Sequence, residues 1–388
     1  MREIIITVQE EGQRLDRYLY KYLPNASTGF LHKMMRKKNI KRNQEKVSGN
    51  EKLQAGDQIQ IYFSEETMKK FGAPSLKKDT RPDDRDRPDD NPPGIRQKHD
   101  TSPAVTQRKY DGRSAGKQVR PDGRTGGTRG EESEALRRQV RILFQNDDIL
   151  ILHKPAGMLT QKARADGDSL NDYLYDYWRG EIMKGKDLPA SFRPSVANRL
   201  DRNTSGIVMC GITLKGLQML SALLKNRDVE KYYLCIVKGQ VTEGRKINGY
   251  LRKDEKKNRV SLHKEPVPGS TYIETAYEPV SIIGNNKFLT EAGNKGSLSE
   301  IKEMSLLRVK LITGKSHQIR AHLAAIGHPI LGDPKYGDPR INQILEKKGI
   351  HHQLLHSSEL YIPADAEGIT PELKGLHIID EMPEDFKI

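Results

Sequence analysis

The sequence predicts an α+β protein in which a small N-terminal α/β unit precedes a larger domain with a mixed, mainly antiparallel sheet. Apolar runs of strand length recur after residue 140, as in DDILILHKP, GIVMCGIT and LLRVKLITG. Segments with helical spacing, SLNDYLYDYW and LKGLQMLSALLKN, lie between such runs. An earlier stretch with its own strands and helices ends near residue 63. These observations indicate two folded units of unequal size.

The first unit, residues 1–63, begins with the β-branched strand IIITV. Apolar residues then follow the spacing of one helix face, which ends before Pro24. They are Leu15, Tyr18, Leu19, Tyr22 and Leu23. A second helix, predicted over residues 27–40, carries the basic residues Lys33, Arg36, Lys37 and Lys38. The alternating segment QIQIYF is the last strand.

Residues 64–139 differ in composition from both neighbouring regions. RPDDRDRPDDNPPG and PDGRTGGTRG are rich in Pro, Gly, Asp and Arg, and aliphatic residues are scattered without a period. Such a stretch cannot bury enough apolar surface to offset the entropy of the chain. We therefore expect a disordered, charged linker over 64–139, followed by the large domain over 140–388.

The charge of the chain favours a polyanionic partner. Its 388 residues carry a formal net charge of +14, and basic side chains near phosphates release condensed counterions. No basic amphipathic helix with a large apolar face appears, so we expect nucleic acid rather than a membrane. The N-terminus lacks the apolar core of a signal peptide, and no run approaches the ~18 apolar residues of a membrane span. We expect a cytoplasmic protein and a monomer.

Residue types that bind metals or cofactors are not arranged in recognisable motifs. Cys210 and Cys235 lie inside apolar runs, which predicts buried thiols. His317, His322 and His328 lack an accompanying carboxylate or Cys at ligand spacing. Walker and GxGxxG signatures are absent from the sequence. We therefore expect neither a metal nor a cofactor.

The tetrapeptide RLDR occurs twice, and the residues that follow each copy differ. Asp16 begins the amphipathic helix, so its carboxylate is expected to pair with a neighbouring base or to cap that helix. Asp201 is followed by the polar turn NTSG and then by a buried strand, which places it on a short loop at the edge of a core. A catalytic carboxylate and a structural ion pair with Arg199 or Arg202 both fit this pattern.

A second polar cluster lies in residues 311–337, LITGKSHQIRAHLAAIGHPILGDPKYG. An apolar strand ends there and a helix begins, and polar donors occupy the junction. Such a junction can hold a phosphate or a carboxylate. The cluster includes Lys315, Ser316, His317, Gln318 and Arg320.

Together these motifs resemble the RluA/RluC/RluD family of RNA pseudouridine synthases. The resemblance covers residues 140–363 and lies in DDILILHKPAGMLTQ, NRLDRNTSGIVMC, KYYLCIVKG, the cluster at 311–337 and LHSSELYIP. It implies a pseudouridine synthase catalytic fold and the isomerisation of uridine in RNA. The N-terminal unit is similar to an S4 RNA-binding domain, whose contacts with RNA would come from its basic second helix. The alternative for those lysines is a solvated helix face.

The resemblance also implies roles for individual residues. Asp201 is the catalytic aspartate, Tyr233 packs on the pyrimidine and can transfer a proton, and Arg320 holds the aspartate. Further residues are expected to bind the substrate: Arg199, Lys154, Lys231, Lys315, His317 and Gln318. The sequence departs from the family pattern at Asn198, where His is usual, and at Lys315, where Arg is usual. Lys315 keeps the charge but lacks the bidentate fork.

Several alternatives stay open at this stage. The aspartate can act as a nucleophile at C1′ or as a base at C2′. The expected target is large-subunit ribosomal RNA, with transfer RNA as the alternative. A non-catalytic RNA-binding or ribosome-assembly protein on the same fold is the main rival, and a base-excising glycosidase is the second.

Overall fold

The computed structural model describes residues 1–73, 129–162, 168–186, 188–254, 259–284 and 303–387. Most of the segment that the sequence predicts as a linker, residues 74–128, lies outside the described residues. Its two ends are described and are helical. Residues Glu65–Lys70 and Arg129–Arg138 form helices inside the range for which we expected disorder.

The N-terminal unit is a four-stranded antiparallel sheet covered by helices. Its strands are β1 (Arg2–Ile5), β2 (Ile40–Arg42), β3 (Glu45–Lys46) and β4 (Gln58–Ile61), in the order β1-β4-β2-β3. Its helices are α1 (Leu15–Tyr22), α2 (Thr28–Arg36) and α3 (Glu65–Lys70). The predicted apolar face of α1 is buried, and Ser27 caps α2 by accepting the Phe30 N–H at 3.3 Å.

Helix α3 belongs to this unit because Met68 is buried in its core. Ser64 caps the helix by accepting the Thr67 N–H at 3.3 Å. The composition of residues 64–139 concealed this short helix, since a single buried Met gives no periodic signal. The folded N-terminal unit therefore extends at least to Phe71, which also packs against that core.

The large domain is built on a sheet of eleven described strands. They are β5 (Arg141–Gln145), β6 (Ile149–Lys154), β7 (Ser195–Val196), β8 (Ser205–Gly211), β9 (Glu230–Lys238), β10 (Arg245–Asp254), β11 (Arg259–His263), β12 (Ser270–Gly284), β13 (Glu303–Leu311), β14 (Leu355–Tyr361) and β15 (His377–Ile379). The main order is β11-β10-β12-β13-β9-β14-β8-β6-β5, with β15 beside β14 and β7 beside β8. Within the described part, β14 and β8 run parallel and the other pairs are antiparallel.

Helices cover both faces of the central strands, which explains why those strands are apolar without interruption. In β6, Leu150 and Leu152 face the core that contains Trp178, whereas Ile149 and Ile151 face the core beneath α6. The helices of this domain are α4 (Arg129–Arg138), α5 (Leu170–Tyr177), α6 (Leu214–Asn226), α7 (Gln318–Ala325) and α8 (Pro339–Lys347), with a π-helical turn at Trp178–Ile182.

This architecture confirms the predicted α+β class and the mixed, mainly antiparallel sheet. Cys210 and Cys235 are buried free thiols, as their apolar runs predicted. Over the described ranges, none of the helices combines the length and the apolar character that crossing a membrane requires.

Candidate active site

Asp201 lies on the loop between β7 and β8, and the backbone of that loop is held on both sides of it. The Thr160 hydroxyl donates to the Leu200 carbonyl at 2.8 Å and accepts the Leu200 N–H at 3.2 Å. After the aspartate, the Thr204 N–H donates to the Asp201 carbonyl at 3.1 Å. Asp201 therefore sits on a fixed turn with its side chain 26% exposed.

The close pairing of β8 with β14 requires a glycine at position 206, in the TSG turn. Gly206 has a φ of 112°, and a Cβ atom there would lie 2.2 Å from the Ser357 carbonyl oxygen. This contact arises because β8 pairs in parallel with β14, Gly206 opposite Ser357. A side chain at this position would force the strand that follows Asp201 away from β14.

Lys154 supports the Asp201 loop from below. Its Nζ donates to the carbonyl oxygens of Pro155 (2.9 Å), Met158 (2.8 Å) and Arg202 (3.0 Å), and the residue has no exposed surface. Burial lowers the pKa of Lys154 to about 7, but three carbonyl acceptors suit the protonated ammonium. Because all three N–H groups are in use, this residue positions the loop. This geometry leaves Lys154 no N–H group to donate to a substrate, contrary to the expectation that it binds one.

Arg320 holds the Asp201 carboxylate, as the resemblance implied. Its Nη1 donates to Asp201 Oδ2 at 2.7 Å. Its Nε and Nη2 donate to the two carboxylate oxygens of Asp333, at 2.7 Å and 2.8 Å. Burial acts to lower the pKa of Arg320, but the bonds with Asp333 and Asp201 raise it above the usual value. The guanidinium therefore stays charged and is fixed in one orientation by the bidentate contact.

Asp333 is a residue that sequence reasoning missed. Its side chain is fully buried, and Oδ1 also accepts the N–H groups of Lys335 (2.8 Å) and Tyr336 (3.1 Å). Burial acts to raise its pKa, but Arg320 and these N–H groups lower it. A signal was present in GDPKYG, where an acidic residue stands in a well-punctuated loop beside a run of polar donors. The role of Asp333 became recognisable only when the fold placed that loop against α7.

His317 and Tyr336 form the side of the site next to Arg320. His317 Nε2 lies 3.9 Å from Asp201 Oδ2, and its Nδ1 is 3.0 Å from the Tyr336 hydroxyl. His317 has a left-handed backbone, with a φ of 55°, immediately before α7. Burial lowers the pKa of His317, against the opposing effect of the Asp201 charge. The ring is therefore a neutral group that faces the carboxylate at neutral pH.

Tyr233 faces the same site from β9. It is 5% exposed and lies opposite Ser357 of β14. Burial raises the pKa of Tyr233 to about 12; Ser357 acts to lower this pKa, and the charge of Asp201 acts to raise it. The phenol therefore keeps its proton at neutral pH and can donate a hydrogen bond.

The other residues expected to bind substrate differ in how far they are exposed to solvent. Arg199 and Lys315 are exposed near the site, where contact with RNA is open to them. Lys231 is half-buried and donates a long hydrogen bond (3.4 Å) to the Val229 carbonyl. Gln318 is buried, and its amide is satisfied by the Thr313 hydroxyl, the Lys315 N–H, the Glu274 carbonyl and the Thr275 hydroxyl. Gln318 thus stabilises the start of α7. Its buried position does not fit the predicted contact with substrate.

The basic helix of the N-terminal unit presents its charges to solvent. Every basic residue that we expected to bind RNA there is exposed: Lys33 and Arg36 on α2, and Lys37 and Lys38 just after it, because the helix predicted over residues 27–40 ends at Arg36. The apolar residues of the same helix, Leu31 and Met35, are buried. This segregation is compatible with an RNA-binding face and also with a solvated one.

The fold and this geometry define a domain with a carboxylate-centred site, in which a buried arginine orients a partly exposed aspartate. Metal chemistry has no candidate ligand cluster here: among the described residues, three or more His, Cys, Asp or Glu side chains do not come together in an arrangement that could hold an ion.

Comparison with known proteins shows which class of protein the chain resembles. Residues 148–325 match the family model described as RNA pseudouridylate synthase. An uncharacterized RNA pseudouridine synthase of Mycoplasma genitalium, MG370, is 29% identical over 231 residues, which are 59% of this chain and 65% of the relative. Ribosomal large subunit pseudouridine synthase D of Pseudomonas aeruginosa is 28% identical over 257 residues, 64% of this chain and 70% of the relative.

A third relative matches a larger share of the chain. Ribosomal large subunit pseudouridine synthase C of Vibrio cholerae is 24% identical over 350 residues, 90% of this chain and 84% of the relative.

Proposed function

We propose that this chain isomerises specific uridines of RNA to pseudouridine, with Asp201 as the reacting carboxylate. The observation that carries the proposal is the Asp201–Arg320–Asp333 chain of charge-assisted hydrogen bonds at a partly open site. It lies in the domain that matches the pseudouridylate synthase family model. Asp201 is the acidic member of this chain that solvent can reach, since Asp333 is fully buried.

The reaction breaks the bond between N1 of uracil and C1′, turns the base, and joins C5 to C1′. The proton lost from C5 is balanced by one gained at N1. The uridine must first leave its stack, which costs a few kcal/mol. Asp201 then attacks C1′ as a nucleophile or removes a proton at C2′; both routes use the ionised carboxylate that Arg320 orients.

Other side chains act on the base and the RNA backbone. Tyr233, which holds its proton, supports the pyrimidine and can donate to it. Arg199 and Lys315 are exposed beside the site and bind phosphates or fill the stack that the base leaves. The basic face of α2 adds further contacts with phosphates through the N-terminal unit, which we propose as an S4-like RNA-binding domain.

The proposed substrate is large-subunit ribosomal RNA. Two of the relatives described above are named as ribosomal large subunit pseudouridine synthases, which supports this choice. A single-stranded or looped region is favoured over a duplex, because the target base must be splayed out. A monomeric state remains a prediction.

Substitution of the two RLDR aspartates tests the proposal. Asp201→Asn keeps the shape of the side chain but removes the charge, and we expect pseudouridine formation to fall by at least ~10³-fold while RNA binding is retained. Asp16→Asn, in the other copy, should leave single-turnover rates at saturating RNA near the wild-type value. The measurement is pseudouridine mapping of a large-subunit RNA transcript.

Unchanged modification by Asp201→Asn would overturn the site assignment. RNA binding by the wild type without any pseudouridine would favour the non-catalytic RNA-binding protein. Free uracil as the main product would identify a glycosidase.

A further inference from the structure

Outside the active site, a buried carboxylate joins the N-terminal unit to the large domain. Glu10 has no exposed surface. Its Oε1 accepts hydrogen bonds from the backbone N–H (2.6 Å) and the hydroxyl (3.0 Å) of Ser191. Its Oε2 accepts from the N–H (3.3 Å) and the hydroxyl (3.1 Å) of Thr7. Separation of the two units would therefore remove both donors from one oxygen of a carboxylate.

The chain around Ser191 lies between two hydrophobic cores. Ala190 packs against the core of the N-terminal unit. Phe192 belongs to the core of the large domain, where its ring meets Trp178 edge-on at 6.1 Å. Gln13 adds a contact of 3.4 Å between its Nε2 and the Ser191 hydroxyl. Apolar packing and hydrogen bonding thus coincide at one junction, which comprises Glu10 and residues 190–192.

The junction is connected directly to the catalytic loop. Strand β7 begins at Ser195, shortly after Phe192, and pairs with β8. The loop that bears Asp201 connects these two strands. The N-terminal unit is therefore attached to the segment of the large domain that leads into the reacting carboxylate.

We propose that the junction holds the N-terminal unit as a fixed second RNA-binding surface of the catalytic domain. The inference rests on the proposed function, because the exposed basic residues of α2 must meet the RNA that carries the target uridine. Fixed docking sets the distance between that basic face and Asp201. The basic face then contacts phosphates without the loss of conformational entropy that a freely tethered module would undergo on binding RNA. The ligand is an RNA long enough to reach both surfaces.

Two variants open the junction from opposite sides. Glu10→Ala removes the acceptor on the N-terminal unit, and Ala190→Arg introduces a long charged side chain on the large domain. Glu11→Ala and Leu188→Arg are matched controls at exposed neighbouring positions. Ala190→Arg leaves the N-terminal unit itself unchanged, so agreement between the two junction variants separates loss of docking from loss of folding.

The first readout is hydrogen exchange of the Ser191 amide without RNA. We expect exchange to become faster in both junction variants and to stay slow in the wild type and the controls. The second readout is affinity for an in vitro transcript of large-subunit ribosomal RNA, which should fall about tenfold in the junction variants alone.

Two results would overturn the inference. A Ser191 amide that exchanges as fast in the wild type as in Glu10→Ala contradicts the docking. Unchanged RNA affinity in both junction variants contradicts its role in binding. Neither readout depends on catalysis: if the wild type binds the transcript tightly but forms no pseudouridine, the proposed function fails and the docked RNA surface stands.

Discussion

At the scale of single residues, Asp16 and Asp201 show how one tetrapeptide serves two purposes. Asp16 accepts two hydrogen bonds from Arg14, at 3.1 Å and 2.7 Å, and one from the Arg17 N–H at 2.7 Å. Burial acts to raise its pKa, but the bonds with Arg14 and Arg17 lower it. The predicted local pairing of Asp16 is thus confirmed. The bonding partner of Asp201 lies on α7, far away in the sequence.

Asn198, which departs from the family pattern, has a definite contact in the structure. Its Oδ1 accepts the Met209 N–H at 2.7 Å, and the neighbouring Ala197 N–H donates to the Met209 carbonyl. The side chain therefore ties the start of the catalytic loop to β8. Asparagine supplies the acceptor that this backbone contact needs.

The first prediction concerns Asp333. Asp333→Asn leaves the buried Arg320 without its bidentate partner, so we expect the free energy of unfolding to fall by about 3 kcal/mol. Because Arg320 then loses its fixed orientation toward Asp201, kcat should fall more than tenfold with a smaller change in KM. Chemical denaturation and single-turnover kinetics measure the two effects.

The control for this variant is Glu243→Gln, which breaks the exposed pair with Arg245 at 3.5 Å. An exposed pair of this kind contributes less than about 1 kcal/mol, and we expect no change in kcat. Equal losses of stability in the two variants would contradict the proposed role of Asp333.

The second prediction is a pH dependence of stability from His322. Burial lowers its pKa to about 4 in the folded protein, whereas the unfolded chain binds the proton near 6.5. Between these values the unfolded state holds more protons, so stability falls as the pH decreases from 6.5 to 4. The expected contribution is about 3 kcal/mol. Urea denaturation at several pH values measures it.

His322→Gln should reduce the slope of stability against pH, because glutamine does not titrate. In the wild type, His322 Nδ1 lies 2.8 Å from the Thr275 hydroxyl, and glutamine can still reach that hydroxyl. His263→Gln, at a half-buried His on β11, is the matched substitution control. An identical pH slope in the wild type and His322→Gln would show that other groups dominate the acid sensitivity.

At the scale of elements, α4 is a support of the active site that composition concealed. Arg137 binds Asp168 through Nε and Nη2, at 2.6 Å and 2.8 Å, and Asp176 through Nη1 at 2.7 Å. Leu136 lies against the KPAG loop, with its Cδ2 atom 3.8 Å from where a Cβ of Gly157 would be. Gly157 in turn exchanges hydrogen bonds with Arg202, next to Asp201.

The third prediction follows from this arrangement. Arg137→Ala should detach α4, lower stability by about 1–2 kcal/mol and reduce kcat several-fold, since the KPAG loop loses its cover. Arg138→Ala is the matched control, because Arg138 is 76% exposed and pairs with Glu134 at 3.6 Å. Thermal unfolding and single-turnover rates distinguish them. If both variants behave alike, α4 does not support the loop.

At the scale of the whole molecule, we expect the N-terminal unit to contribute RNA binding and the large domain to carry the chemistry. The fourth prediction is that deletion of residues 1–73 weakens RNA affinity and reduces the slope of log affinity against log salt. The boundary is 73 rather than 63 because α3 and Phe71 pack in the N-terminal core. Pseudouridine formation at saturating RNA should persist, since the catalytic groups lie beyond residue 140. Equal salt slopes would contradict RNA binding by this unit.

The sequence by itself determined the class of fold and the motifs that resemble the family, whereas the domain bounds and the catalytic role of Asp201 stay predictions. Strand periodicity and helix spacing are local properties, and motifs such as NRLDRNTSG specify a turn and a reacting group over a few residues. The helices α3 and α4 escaped detection because polar, Pro-rich and Gly-rich neighbours dominate their composition. Their stability comes from tertiary contacts, through Met68 and Arg137 respectively.

Only the tertiary structure decided how the conspicuous polar residues are used. Lys154 and Gln318 are buried and satisfied by the protein itself, whereas Asp333, which the motifs did not single out, fixes the arginine that orients Asp201. The physical reason is that a polar group buried on folding must find its partners within the fold. Those partners lie on elements that are distant in sequence, so residue type and spacing alone cannot distinguish a structural polar residue from a reacting one.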